Sequence, residues 1–249
     1  MDLSELRPGV SRRHPWEIAR VRAVAAILRR QSSRFDSILD VGCGDGFVGE
    51  HLQSAFGARE LVGIDIHLPT TRCGTSHPIP GRTIERYQSI EAMGDRRFDL
   101  VLALDVIEHV ADDRALLRSV ASSHLQPGGA VLVTVPAFQS LFSDHDRALQ
   151  HYRRYRVPQL RAAMHGTGMT VAADGYMFAS LLLPRLLEKV LEAAGRHRTD
   201  HGAGSWTRSG SLTAALAGAL TLDARVLLAA RRFGLRIPGL TAWAFCRPQ

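Results

Sequence analysis

The chain has 249 residues, 45% of them apolar and 22% charged, with a formal net charge of +7. That length and balance suit one globular α/β domain with an insertion and exclude a disordered polymer. No uninterrupted apolar run reaches eighteen residues, so no spanning helix is predicted, and the N-terminus lacks the basic start and apolar core of a signal peptide. Cytoplasm is therefore the expected location. The three cysteines, Cys43, Cys73 and Cys246, are far apart and form no C-x-x-C pair, so neither a disulfide framework nor a cysteine-rich metal site is indicated. No metal is expected. A basic balance can mark a polyanion partner, but Lys189 is the only lysine, and an arginine bias of this kind fits a solvated basic surface equally well.

In chain order, the residues up to about Arg13 look irregular, with Pro8 and Gly9 as breakers. Ile18, Val21, Ala25 and Leu28 then recur at helical spacing, predicting a helix over residues 14–30 with Pro15 in its first turn. A buried strand over residues 38–41 runs into Asp40-Val41-Gly42-Cys43-Gly44-Asp45-Gly46, and a helix follows to about residue 56. Glycine is required in such a turn because a side chain would keep a ligand from the backbone and because turn positions need positive φ. Phe47 stands where the dinucleotide fingerprint G-x-G-x-x-G wants its spacing completed, so that fingerprint is not met. The next apolar run ends at Asp65, about twenty residues on, where a carboxylate can accept both hydroxyls of a ribose.

Here the sequence resembles the class I S-adenosylmethionine-dependent methyltransferases, whose first motif the heptapeptide from Asp40 to Gly46 matches and whose ribose-binding acid Asp65 matches. The resemblance implies a doubly wound, mostly parallel seven-stranded sheet of Rossmann-like type and S-adenosyl-L-methionine as cofactor. It also implies that the 14–30 helix lies across the cofactor, with Arg20 meeting the methionine carboxylate and Trp16 either covering the site or packing as a helix anchor. Asp40, Gly42, Cys43, Gly44, Gly46, Asp65 and Ile66 are the implied cofactor residues of the first half. Cys43 is read as a small packing residue rather than a nucleophile.

Residues 67–81 carry little helical signal, although related enzymes place a helix there. A third strand over residues 83–88 leads into Ser89-Ile90, where the family often has an aspartate for the adenine amino group; Ser89 and Ile90 are expected to take that role. The strand from Phe98 ends at Leu104-Asp105 and continues into Glu108-His109-Val110, another point of resemblance that implicates Leu104, Asp105 and His109 in cofactor binding. Asp112 and Asp113 open a helix to His124, favourable with its dipole. Leu125-Gln126-Pro127-Gly128-Gly129 and the fifth strand to Pro136 complete the resembling part, residues 14 to 136.

Phe138 to Tyr155 follow a central strand end, where the acceptor should lie. Within them His145 is the first candidate for general base because imidazole titrates near neutrality, with Asp144 or Asp146 to orient it and His151 as the runner-up. Phe138, Tyr152, Arg153, Arg154 and Tyr155 are the candidate substrate residues; the same arginines could instead hold carboxylates of the domain itself. A helix over 157–165, a strand over 169–176 and a final strand over 240–246 are predicted. Between the last two strands, residues 177–237 read as a helical insertion with apolar stretches at 177–198 and 211–233, packed on the domain, covering an apolar acceptor, facing a second copy, or resting on a membrane surface. The whole chain is read as a single methyltransferase domain that moves a methyl group to a hydroxyl or other nucleophile of a small-molecule or lipid-like acceptor. Nucleic acid is not expected as a partner. The alternatives are an RNA methyltransferase and a non-catalytic cofactor-binding subunit; a homodimer and a peripheral membrane contact stay open.

Overall fold

The computed structural model describes residues 13–195 and 206–249. The expected irregular lead before Arg13 and the end of the predicted 177–198 helix lie outside them. Eight strands form one sheet: β1 (Ser37–Val41), β2 (Glu60–Ile64), β3 (Gly74–Ser76), β4 (Thr83–Tyr87), β5 (Phe98–Leu104), β6 (Leu125–Pro136), β7 (Met169–Met177) and β8 (Thr241–Pro248), in the order β3-β4-β2-β1-β5-β6-β8-β7. β4, β2, β1, β5 and β6 run parallel, and β8 lies antiparallel between β6 and β7. The central strands are buried on both faces, which explains why they read as continuous apolar runs rather than alternating ones.

The sheet has eight strands, one more than the seven expected. The extra strand, β3, is three exposed residues paired antiparallel to β4 at the sheet edge. It occupies part of the stretch that lacked helical signal, behind a single 3-10 turn at Thr70–Arg72. Three residues with no buried side chain leave no periodicity to read.

Helices cover both faces. α1 (Pro15–Arg29), α2 (Phe47–Phe56) and α7 (Gly210–Arg232) pack on one; α3 (Asp113–His124) and α5 (Val157–His165) pack on the other, with short α4 (Asp144–Ala148) and α6 (Leu182–Ala193) beyond the carboxyl ends of the strands. α1 starts cleanly because the His14 ring accepts from the Trp16 N–H and Glu17 accepts from the His14 N–H, a reciprocal cap with Pro15 in the first turn. α7 buries Thr213, Ala217, Thr221, Ala224 and Leu228 at helical spacing against the domain. Its Asp223 accepts from the Ser180 N–H at 2.9 Å and the Ser180 hydroxyl at 2.6 Å. With 23 residues and a mean hydropathy of 1.6 over its most apolar 18-residue window, α7 is long and apolar enough to cross a membrane by length and composition. A search for uninterrupted apolar runs misses this because Asp223 and Arg225 break the run. The outer faces of the insertion expose Leu183, Leu186, Leu187 and Val190 on α6 and Leu222 and Val226 on α7.

The sheet order reverses at β1, with β2 on one side and β5 on the other. The region beyond the strand carboxyl ends at that point is where an open parallel sheet receives its ligand.

Candidate active site

The turn after β1 is built from three residues in the left-handed region, Gly42 (φ 70°), Gly44 (φ 57°) and Gly46 (φ 89°). The Gly42 and Cys43 N–H groups donate to Ile64 O, tying the turn to the end of β2. A Cβ on Gly42 would lie 2.5 Å from Val106 Cγ2, so the turn lies tight against the segment after β5. Asp65 stands across from it, its Oδ2 accepting from the Gly44 N–H and its Oδ1 from the His67 N–H, both at 2.9 Å. These two bonds fix the carboxylate while its remaining lone pairs stay available, and the neighbouring Ile66 is exposed. Cys43 turns its thiol away towards Gly63, where an added Cβ would meet Sγ at 2.9 Å. Burial holds that thiol far above its ordinary range, which agrees with a packing role.

Asp40 lies beneath the turn, 3% exposed, with the Gly49 N–H donating to it. Burial raises its pKa to about 7 against the opposing pull of Arg20. The folded chain thus keeps a proton that the unfolded chain loses near 3.8. The stability this gives is complete below the unfolded value and is lost as pH rises towards 7. Asp40→Asn should remove this slope: in urea melts without ligand, the advantage of the wild type over the variant shrinks from pH 4 to pH 7. Parallel profiles would show that Asp40 does not titrate in that window.

α1 crosses the region beyond the strand carboxyl ends. Arg13 pairs with Asp45 in the glycine turn and lies over the Phe47 ring, while Arg20 Nη2 lies 2.8 Å from Asp105 Oδ2. Arg20 is buried, yet its Nε and Nη2 hydrogens are directed at no acceptor, so the Asp105 contact is an ion pair without hydrogen-bond alignment. Asp105 itself sits at φ 57° and accepts from the Thr134 hydroxyl at 3.0 Å. Trp16 packs between Arg20, 5.1 Å from its ring, and Phe178. Leu104 is buried at the end of β5, and Ser89 and Ile90 are half-buried beyond β4, with Ser89 bonded to Glu91.

Beyond β5 lies a second group. His109 and His151 meet edge to face with ring centroids 4.5 Å apart, and Glu108 joins them, so that one ligand atom of each lies within 4.8 Å of the others. The Tyr152 N–H donates to Glu108 O at 2.7 Å, which holds the two segments together. His151 Nδ1 is 2.9 Å from Asp146 Oδ1, and Arg154 Nε donates to the same oxygen at 2.7 Å. Asp146 is fully buried and also accepts from the Ser143 N–H and hydroxyl. Burial alone would raise its pKa, but the bonds from His151 and Arg154 prevail and hold the carboxyl well below the usual range. From the insertion, Arg185 reaches Ser143 Oγ and lies 3.6 Å from Asp146, and Lys189 donates to Phe142 O.

The methyltransferase-domain family model matches residues 15–174. The chain belongs to the class I S-adenosylmethionine-dependent methyltransferases. Ubiquinone biosynthesis O-methyltransferases from Idiomarina loihiensis (34% identical over 100 residues, 38% of this chain and 40% of that protein) and Azorhizobium caulinodans (39% over 101 residues, 39% of each) are similar in sequence. The chain thus spans about two fifths of the length of these relatives. A methyltransferase from Archaeoglobus fulgidus shares the fold over 91% of this chain and 93% of its own, with a TM-score of 0.51 at 19% identity.

S-Adenosylmethionine is the cofactor of this family, and the methyltransferase's own residues fit it. The buried Arg20 nitrogens lack acceptors, as a carboxylate-binding arginine would, and the turn at Gly42 leaves no room for a side chain. The acceptor side departs from expectation. Asp144, one of the two acids expected to orient His145, is exposed and accepts from Arg147. The other, Asp146, is the buried acid of the segment, and it is paired with His151. His145 is half-buried on α4. Arg154 is an internal tie that also donates to Ala137 O, not an open substrate grip. Tyr155 is buried in the core with its hydroxyl donating to Asp113 at 2.7 Å, and burial together with that bond raises its pKa far above the ordinary value. Arg153 donates to Ala111 O and lies over the Tyr152 ring. Tyr152 is exposed, and Phe138 stacks on Tyr176 at 5.3 Å. His109, expected at the cofactor, packs edge to face on His151. Glu108 was not among the expected site residues; its signal was the Glu-His pair directly after a strand end.

Proposed function

We propose that this methyltransferase transfers a methyl group to a hydroxyl of a small aromatic or lipid-like acceptor lying against Glu108, His109 and His151. The observation that carries the reading is the position of that group, beyond the carboxyl end of β5 and one residue segment from Asp105, which pairs with Arg20. The similarity to ubiquinone biosynthesis O-methyltransferases supports a hydroxyl acceptor, and the apolar outer faces of α6 and α7 support an acceptor of lipid-like character drawn from the cytoplasmic side of a membrane.

The cofactor, when bound, supplies a methyl made electrophilic by its positive sulfur. Asp65 would hold the ribose end and Arg20 the carboxylate. The chain's remaining work is to align the hydroxyl, exclude water and let its proton leave. Such alignment supplies on the order of 7–11 kcal/mol of a barrier. Asp146 fixes His151 by holding its Nδ1, which leaves Nε2 as the nitrogen turned to the acceptor group.

Incubation with methyl-labelled S-adenosylmethionine and a panel of phenols and catechols tests the reading. A labelled methyl ether is expected, with kcat lowered about 10²–10⁴-fold by His151→Ala and within about threefold of wild type in His145→Ala. Label in RNA alone, or turnover that depends on His145 and not on His151, would overturn it.

A further inference from the structure

We propose that Arg185 of α6 is a positioning residue, which fixes the tautomer and orientation of His151 through Ser143 and Asp146. Its bearing on methyl transfer rests on the reading of His151 as the imidazole that faces the acceptor. Three observations carry the proposal.

The first is where the guanidinium lands. Its Nη2 donates to Ser143 Oγ and lies 3.6 Å from Asp146 Oδ2, while its Nη1 donates to Glu188 Oε2 on the same helix at 2.9 Å. The rigid fork is thus held between its own helix and Ser143, so its direction is set by α6. Arg185 belongs to the insertion between β7 and β8, whereas Ser143, Asp146 and His151 follow β6. The contact joins two separate parts of the chain.

The second is the hydroxyl between them. A serine hydroxyl has one hydrogen and two lone pairs. Accepting from Arg185 occupies a lone pair and leaves the hydrogen for Asp146 Oδ2, 3.1 Å away, which also accepts from the Ser143 N–H. The other oxygen, Oδ1, lies 2.9 Å from His151 Nδ1 and accepts from Arg154 Nε at 2.7 Å. Hydrogen bonds linked in this way polarise one another, and burial strengthens each of them.

The third is charge. Asp146 is fully buried and the Arg185 side chain is 13% exposed, so water screens little of their attraction. Arg154 on one oxygen and Arg185 on the side of the other hold the carboxylate ionised. An ionised carboxylate can only accept, so the hydrogen of the neutral ring sits on Nδ1 and the Nε2 lone pair is free for the acceptor's proton. Lys189, one turn further along α6, donates to a backbone carbonyl, Phe142 O, and so fastens the helix to the same segment by a different route.

Two substitutions on this one helix separate positioning from fastening. In full-length protein labelled with ¹⁵N-histidine, the ring nitrogens of His151, assigned by their loss in His151→Gln, report its tautomer directly. Arg185→Met keeps the apolar stem and removes the fork; it should move the His151 Nδ1 and Nε2 signals towards each other, as a mixture of tautomers does. It should also lower kcat with catechol as acceptor by about 10–100-fold, the scale of a reacting group misplaced by about 1 Å, and leave KM for S-adenosylmethionine within about threefold. Lys189→Met should lower the melting temperature and leave both readouts at their wild-type values. If Arg185→Met does not fold, Arg185→Lys, which keeps a charge but not the fork, carries the test. Unmoved His151 signals, or signals that move as far in Lys189→Met, would overturn the proposal. If wild type and His151→Gln turn over alike, the functional reading fails, while the His151 signals still decide the role of Arg185.

Discussion

Asp146→Ala is expected to lower the stability of the domain by about 3–5 kcal/mol, the loss seen when one partner of a buried ion pair is removed. Arg154 is the reason. Its side chain is buried, its Nε donates to Asp146 at 2.7 Å, and its other partner is the Ala137 carbonyl, which offers no charge. Arg185, reaching in from the insertion, would lose the same counter-charge. The cost therefore comes from stranding a guanidinium more than from losing an attraction. That distinction is measurable: Arg154→Leu added to Asp146→Ala should recover part of the loss, giving a coupling energy of about 1–3 kcal/mol in a double-mutant cycle. Because the Asp146 carboxyl titrates well below its unfolded value, its contribution is present above the unfolded pKa and fades as pH falls. The gap between wild type and Asp146→Ala in urea melts should thus be full at pH 7 and narrow under acid. Strict additivity of the two substitutions would show that Arg154 is held by something other than Asp146.

The same residue shows where reading the sequence succeeds and where it stops. The glycine turn, Asp65 and the strand ending at Asp105 were legible because their chemistry is local. A chain that must bring its backbone to a ligand needs glycines at fixed spacing, and a buried parallel strand needs an unbroken apolar run. The structure keeps each of them where the spacing puts it. Asp146 lies in the first turn of α4 and His151 five residues on, past its end, and which acid meets which imidazole depends on how that short helix is capped. Ser143 and Asp146 cap it reciprocally, which turns Asp146 inward and leaves Asp144 outside with Arg147. Asp144, Asp146, His145 and His151 have the same composition signal; burial separates them, and burial is not written in a five-residue window.

The insertion was legible as two apolar helices, but its attachment was not. Arg185 and Lys189 look like breaks in an apolar face, yet they bond Ser143 and Phe142 O across the segment that carries His151. The insertion therefore stabilises the acceptor segment directly. Whether an arginine that interrupts a hydrophobic helix face ties to a buried carboxylate or faces solvent is decided by the fold.

The last expected result concerns the turn itself. Gly42→Ala should destabilise the domain by about 2–5 kcal/mol and weaken S-adenosylhomocysteine binding by at least about tenfold. Two costs combine. At φ 70° an alanine sits in the left-handed region, at roughly 1–2 kcal/mol. Its Cβ would also lie 2.5 Å from Val106 Cγ2, and overpacking of this kind costs about 1–3 kcal/mol. Val106 directly follows Asp105, so the strain passes to the carboxylate that faces Arg20. Val106→Ala removes the overlapping methyl but cannot change φ. The double variant should therefore regain about half of the lost stability and most of the lost affinity, as read by urea melts and calorimetric titration. Full recovery would mean that the backbone conformation costs nothing there. No recovery would mean that the segment after β5 does not transmit the turn's position to Arg20.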